Sequence, residues 1–169
     1  LGVGQIAFRG GSFAPEKKLE VVSHGSAPVF GAVLDMMSVM PSLQLWAQVL
    51  KAIPEATLVL GRVGGVEDEL QDHLKNHIAE FGIEGRVGFV SETLGRNGWA
   101  NLFSKIDVLL DNVVVNETIS TCDALWMGIP VISLASTDNS VINGASILTA
   151  AGCEDWIAYD TKSFVTIAE

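Results

Sequence analysis

"DVLLDNVVVNETISTCDALWMGIPVISLA", from Asp107 to Ala135, decides the fold of this chain. It opens with a short apolar run closed by Asp111, "DVLLD". It then passes through a polar turn into a segment of helical length, and ends in a second apolar run, "PVISLA". Gly128 and Pro130 stop the helix before that second run. The two runs are continuously apolar rather than alternating, as strands covered on both faces are. The stretch therefore reads as a strand–helix–strand unit of a parallel sheet.

The same rhythm extends in both directions. "VFGAVL" after Pro28, "ATLVLGR", "RVGFV" and "DWIAYD" read as further strands. Between them, "PSLQLWAQVLKAI" places Leu43, Trp46, Val49, Leu50 and Ile53 at helical spacing, with Pro41 near its first turn and Pro54 as its stop. A helix from about Val66 to Phe81 carries Leu70, Leu74, His77, Ile78 and Phe81 on one face, and Gly82 ends it. "GRNGWANLFSKI" reads as another helix, as do residues from about Ser140 to Ala151 and from Thr161 onward. The expected architecture is an α/β, doubly wound parallel sheet, Rossmann-like, over residues 28–169. Residues 1–27, broken by Gly10, Gly11 and Pro15, are expected to form an irregular lead-in, and the start reads as a cut inside a longer chain.

Composition narrows the function. A net charge of −10 with ten Lys and Arg leaves no clustered basic surface for nucleic acid. No apolar run reaches the roughly 18 residues of a membrane span. Cys122 and Cys153 form no metal-ligand spacing and no disulfide framework, so a cytoplasmic setting is expected. His73 and His77 share a helix face, but "HLKNH" lacks the glutamate of the zincin pattern, and no metal is expected there.

In a doubly wound sheet, ligands sit beyond the carboxyl ends of the strands, at the point where strand order reverses. The candidate loops are 31–40, 61–66, 90–98, 111–118 and 135–140. If the helix after "DVLLD" starts near Ser120, its free N–H groups hold an anion without any lysine. Ser120 and Thr121 add hydroxyl donors for phosphate oxygens, and Asp123, one turn on, can accept both hydroxyls of a ribose. Ser120-x-x-Asp123 equally matches a capping box, and both readings stay open. Leu125, Trp126 and Met127 read as core.

"NETISTCDALWMGIPVISLA" resembles the signature of the O-GlcNAc transferase family, including its bacterial SPINDLY-like members, where the corresponding run is close to NGGTTTCDALWMGVPVV. "FRGGSFAPE", "APVFGAV", "LQLWAQVLKAIPEATLVL", "FGIEGRVGFV", "KIDVLLD" and "GASILTAAGCEDWIA" follow in the family's order and spacing, so the resemblance covers nearly the whole chain. It implies the carboxyl-terminal, nucleotide-binding half of a GT-B glycosyltransferase. Such a half takes a UDP-sugar donor, UDP-GlcNAc in the family, for inverting transfer to a protein Ser or Thr. The partners implied are the UDP-sugar, an acceptor protein, and the amino-terminal half with its TPR repeats. Neither cofactor nor metal is implied.

By the same resemblance, Ile119 and Ser120 fall on the family's diphosphate-binding threonine pair, and Asp123 on its ribose-binding acid. Asn116 precedes the family's glycine pair, here Glu117 and Thr118. Trp99 takes the place of a nucleotide-side histidine; its indole can stack on uracil, while "WANLF" reads slightly better as holding a core tryptophan. The family's lysine, which neutralises the leaving diphosphate, falls on Met37 or Ser38, neither of them cationic. Arg96, near a lysine of some relatives, and Arg62 are the substitutes in reach, a solvated surface role being equally open for either, and no residue is assigned a catalytic role. The alternative implied by these departures is a catalytically degenerate relative acting as a binding or scaffold module.

Overall fold

The computed structural model describes residues 27–35, 37–62, 66, 68–90, 102–114, 118–135 and 143–169. Among them the order is β1 (Val29–Val33), α1 (Val39–Ala52), β2 (Thr57–Gly61), α2 (Asp68–Glu80), β3 (Val87–Phe89) and β4 (Val108–Leu110). Then follow α3 (Thr118–Trp126), β5 (Val131–Leu134), α4 (Asn143–Ala150), β6 (Ile157–Ala158) and α5 (Thr161–Ala168). The "DWIAYD" strand is reduced to two residues, because Glu154–Trp156 forms a 3-10 turn before it. The lead-in, and most of the helix expected in "GRNGWANLFSKI", lie outside the described residues.

The strands form one six-stranded sheet in the order β3-β2-β1-β4-β5-β6, with every pairing parallel. Successive side chains of a strand face opposite layers, and the two cores sort accordingly. Phe30, Ala32, Leu58, Leu60, Leu110 and Ile132 pack with Leu43, Trp46 and Leu50 of α1, Leu74 and Ile78 of α2, and Phe164 of α5. Leu109 and Val131 pack on the other face with Phe103, Ile106, Ala124 of α3, Met127 just beyond it, and Leu148 of α4. Both faces are apolar because both are covered, as the continuous strand runs require.

Local chemistry sets the element ends. Gly82 and Gly128 stop α2 and α3 with φ of 68° and 78°, a region that costs other residues a Cβ clash. α5 starts on a reciprocal cap: the Ser163 backbone N–H donates to Asp160 Oδ1 at 2.6 Å, and the Asp160 N–H donates to Ser163 Oγ at 3.1 Å. That backbone bond is the main reason the Asp160 carboxyl is held below its ordinary pKa. The Arg86 guanidinium closes the end of α1, donating to the Leu50 carbonyl and, at 3.1 Å, to the Pro54 carbonyl. A cation on those carbonyls also meets the negative end of the helix dipole. Arg86→Ala is expected to cost about 1 to 2 kcal/mol in urea unfolding.

Three expectations shift. α3 begins at Thr118 rather than near Ser120, so Ser120 is the third helical residue and not its cap. α2 begins at Asp68, two residues later than expected. Trp126, read as core, is 41% exposed: it ends α3 on the outward side, while Ala124 and Met127 take the inward positions.

Candidate functional site

Strand order reverses between β1 and β4. The chain leaves β1 toward α1 and leaves β4 toward α3, so a crevice opens between those two exits at the carboxyl edge. Its floor is a buried polar network. Asp111, at the end of β4, accepts the Ser133 hydroxyl of β5 at 2.8 Å and the Asn112 backbone N–H at 2.9 Å. Asn112 Nδ2 donates to the Val33 carbonyl of β1 at 2.8 Å, and the Val113 N–H donates to Ser42 Oγ of α1 at 2.9 Å. The Trp46 indole N–H reaches the Asp111 carbonyl at 3.3 Å. The segment feeding α3 is thus tied to β5, β1 and α1 at once. Gly144, in the first turn of α4, lies so close that a Cβ there would overlap Ser133 Oγ and Asp111 Oδ2.

The two helix starts at the crevice differ. At α1, Asp35 occupies the approach: its carboxylate accepts the Met37 N–H at 2.9 Å and the Ser38 hydroxyl at 3.3 Å. A carboxylate there already satisfies orphan donors and repels a second anion. Ser38 is buried whereas Met37 is 83% exposed, so of the two positions for the family lysine only Met37 reaches solvent.

At α3, Ser120 and Thr121 are buried and Ile119 is 66% exposed. The Thr121 Oγ has no hydrogen-bond partner, although the residue is 0% exposed. A buried hydroxyl left unsatisfied costs roughly 1 to 3 kcal/mol, so it marks a place where a missing acceptor or donor belongs. Asp123 stands one turn further, half-buried, and burial pushes its carboxyl pKa up. Among the described residues its carboxylate makes no hydrogen bond and no ion pair. Cys122 is buried beside it; burial first, and the Asp123 charge second, raise its thiol pKa and leave it unreactive.

Sequence-expected residues Ile119, Ser120, Thr121 and Asp123 therefore share one helix at the crevice. Arg96, Trp99 and Asn116, with Glu117, lie outside the described residues. Arg62 follows directly on β2, at the same edge of the sheet. The sequence reading missed the floor of Asp111, Asn112, Ser133, Ser42 and Trp46. Its one visible signal was an acid closing an apolar strand run in "DVLLD". Among the described residues the exposed large apolar side chains include Met37, Val114 and Ile119, which rim this crevice. Among the described residues no group of three or more His, Cys, Asp and Glu side chains is suited to a metal, and no helix is long and apolar enough to cross a membrane.

With this geometry in place, the relatives can be compared. Residues 25–169 match the model of glycosyl transferase family 41. The probable UDP-N-acetylglucosamine–peptide N-acetylglucosaminyltransferase SPINDLY of Oryza sativa subsp. japonica is 28% identical over 141 residues, 82% of this chain and 15% of that protein. The corresponding SPINDLY protein of Arabidopsis thaliana is 26% identical over the same shares. A solved structure of a mutant O-GlcNAc transferase from Thermobaculum terrenum superposes with a TM-score of 0.77 at 29% identity, over 83% of this chain and 27% of that one. The chain thus spans less than a third of these relatives.

Proposed function

The chain belongs to glycosyl transferase family 41, and from that premise we propose that it is the donor-binding half of a protein O-GlcNAc-transferase-like enzyme. In this reading it binds a UDP-sugar, UDP-GlcNAc foremost, for inverting transfer to a Ser or Thr hydroxyl of an acceptor protein. The diphosphate lies at the amino-terminal end of α3, against Ser120 and Thr121, and Asp123 accepts the ribose hydroxyls. Backbone donors and the helix dipole supply the attraction that a chain of net charge −10 does not supply through lysines. Ile119 contributes its backbone N–H, Asn116, two residues earlier in sequence than Thr118, adds a side-chain amide, Trp99 stacks on the uracil, and Arg96 offers a cation to the phosphates. The exposed Met37, Val114 and Ile119 meet the amino-terminal half of the longer polypeptide, which carries the acceptor side and TPR repeats.

The observation that carries this reading is the buried, unpartnered Thr121 hydroxyl in the first turns of α3. A titration of UDP into the chain, followed by amide NMR shifts, tests it: shifts centred on residues 118–123 are expected, and none at millimolar UDP would sink it. Thr121→Val gives a sharper result, because the two side chains have nearly the same shape. Removing a buried hydroxyl that has no partner is expected to raise stability by up to about 1 kcal/mol. The same change weakens UDP binding several-fold. A variant that loses both stability and affinity would point to a purely structural Thr121.

A further inference from the structure

We propose that His73 and His77 form a divalent transition-metal site on the outer face of α2, separate from the crevice. The two residues are i, i+4 on one helix, so their imidazoles lie one above the other on a single face. Their ring centroids are 5.0 Å apart. The rings meet edge to face, their planes at 79°; two imidazoles bound to one tetrahedral ion at about 2.0 to 2.1 Å hold their centroids roughly 5 Å apart, so the separation suits a chelate once the rings turn out of that contact.

A second feature points the same way. Glu80 Oε2 lies 2.9 Å from His77 Nδ1. With Nδ1 donating to that carboxylate, Nε2 keeps its lone pair for a metal, and the bond fixes the tautomer and ring orientation as outer partners of metal-bound histidines do. The surroundings favour a cation: the whole chain carries a net charge of −10, and the neighbouring Lys75 is already paired with Asp72 at 2.8 Å. No third His, Cys, Asp or Glu converges among the described residues, so the protein supplies two nitrogens and water completes the coordination. Imidazole pairs of this kind suit zinc, copper(II) and nickel over calcium or magnesium. His77 lies nine residues into α2, roughly 13 Å along its axis from the end that adjoins the carboxyl edge of the sheet. Metal binding here clasps two successive turns of α2 and does not touch the nucleotide crevice.

Zinc chloride titrated into the 169-residue chain, read by calorimetry and by histidine ring resonances, tests this. One saturable ion is expected, moving the His73 and His77 rings. His73→Ala and His77→Ala should each lose at least tenfold in affinity, and Glu80→Gln about tenfold with both rings retained. Alanine is the stronger helix former, so far-UV circular dichroism should show α2 intact in both alanine variants. Absence of saturable binding at millimolar zinc, or binding unchanged in the histidine variants, overturns the site.

Discussion

Asp123→Ala is expected to lower the affinity for UDP by about ten- to a hundredfold, while the chain stays folded. The carboxylate sits on the second turn of α3, half-buried and without a hydrogen-bond partner among the described residues, so nothing structural is broken by its removal. On the proposed reading, what is lost is a charged acceptor for two ribose hydroxyls in a partly desolvated place, where such bonds are strongest. Calorimetry on the variant, with circular dichroism as the check on folding, decides it. Affinity within twofold of the parent would remove Asp123 from the site.

The raised pKa of Asp123 makes both stability and UDP affinity depend on pH. Burial favours the neutral acid in the folded state, so the native chain binds more protons than the unfolded one between the two pKa values. Stability is therefore fully supported below the ordinary carboxylate range and declines as pH rises through the raised value. UDP binding runs the other way, because the ionised form is the better acceptor of two hydroxyls. Asp123→Asn should flatten the part of the stability profile that this group contributes.

Gly144→Ala is the variant with the largest expected cost to the fold, about 3 kcal/mol in urea unfolding. An added Cβ would occupy the space of Ser133 Oγ and Asp111 Oδ2, whose own hydrogen bond spans 2.8 Å. Both partners are buried, at 0% and 4% exposure, and neither is the free end of a flexible chain. Either α4 moves off the sheet or the pair separates, leaving a buried carboxylate short of a donor. Ser133→Ala relieves one of the two overlaps, so the double variant should cost clearly less than the sum of the single ones. Strict additivity would mean that the close approach of α4 to this pair is not what holds position 144 to glycine. The parent floor also positions the segment entering α3, so UDP affinity should fall with it.

The sequence by itself determined the layering of this protein. Continuous apolar strand runs separated by amphipathic helices require a parallel sheet buried on both faces, and Gly82 and Gly128 mark helix ends that depend only on neighbouring residues. The signature from Asn116 to Ile132 likewise pointed to α3 as the helix proposed to hold the donor. Local chemistry reaches only about one turn, however. It misplaced the start of α3 by two residues and put Trp126 inside, because an apolar side chain near a helix end does not state which side of the helix is covered.

Tertiary structure decided the rest, through contacts between residues far apart in the chain. Asn112 is bound to Val33 and Val113 to Ser42, across 79 and 71 residues. Those pairings follow from β4 lying beside β1, a strand order that no short pattern encodes. The same order brings the exits of β1 and β4 together, fills the start of α1 with Asp35, and leaves the Thr121 hydroxyl at α3 buried and unanswered. Sequence could name a helix able to hold an anion; only burial, which depends on every neighbouring element at once, distinguishes an occupied helix start from one with an unmet bond.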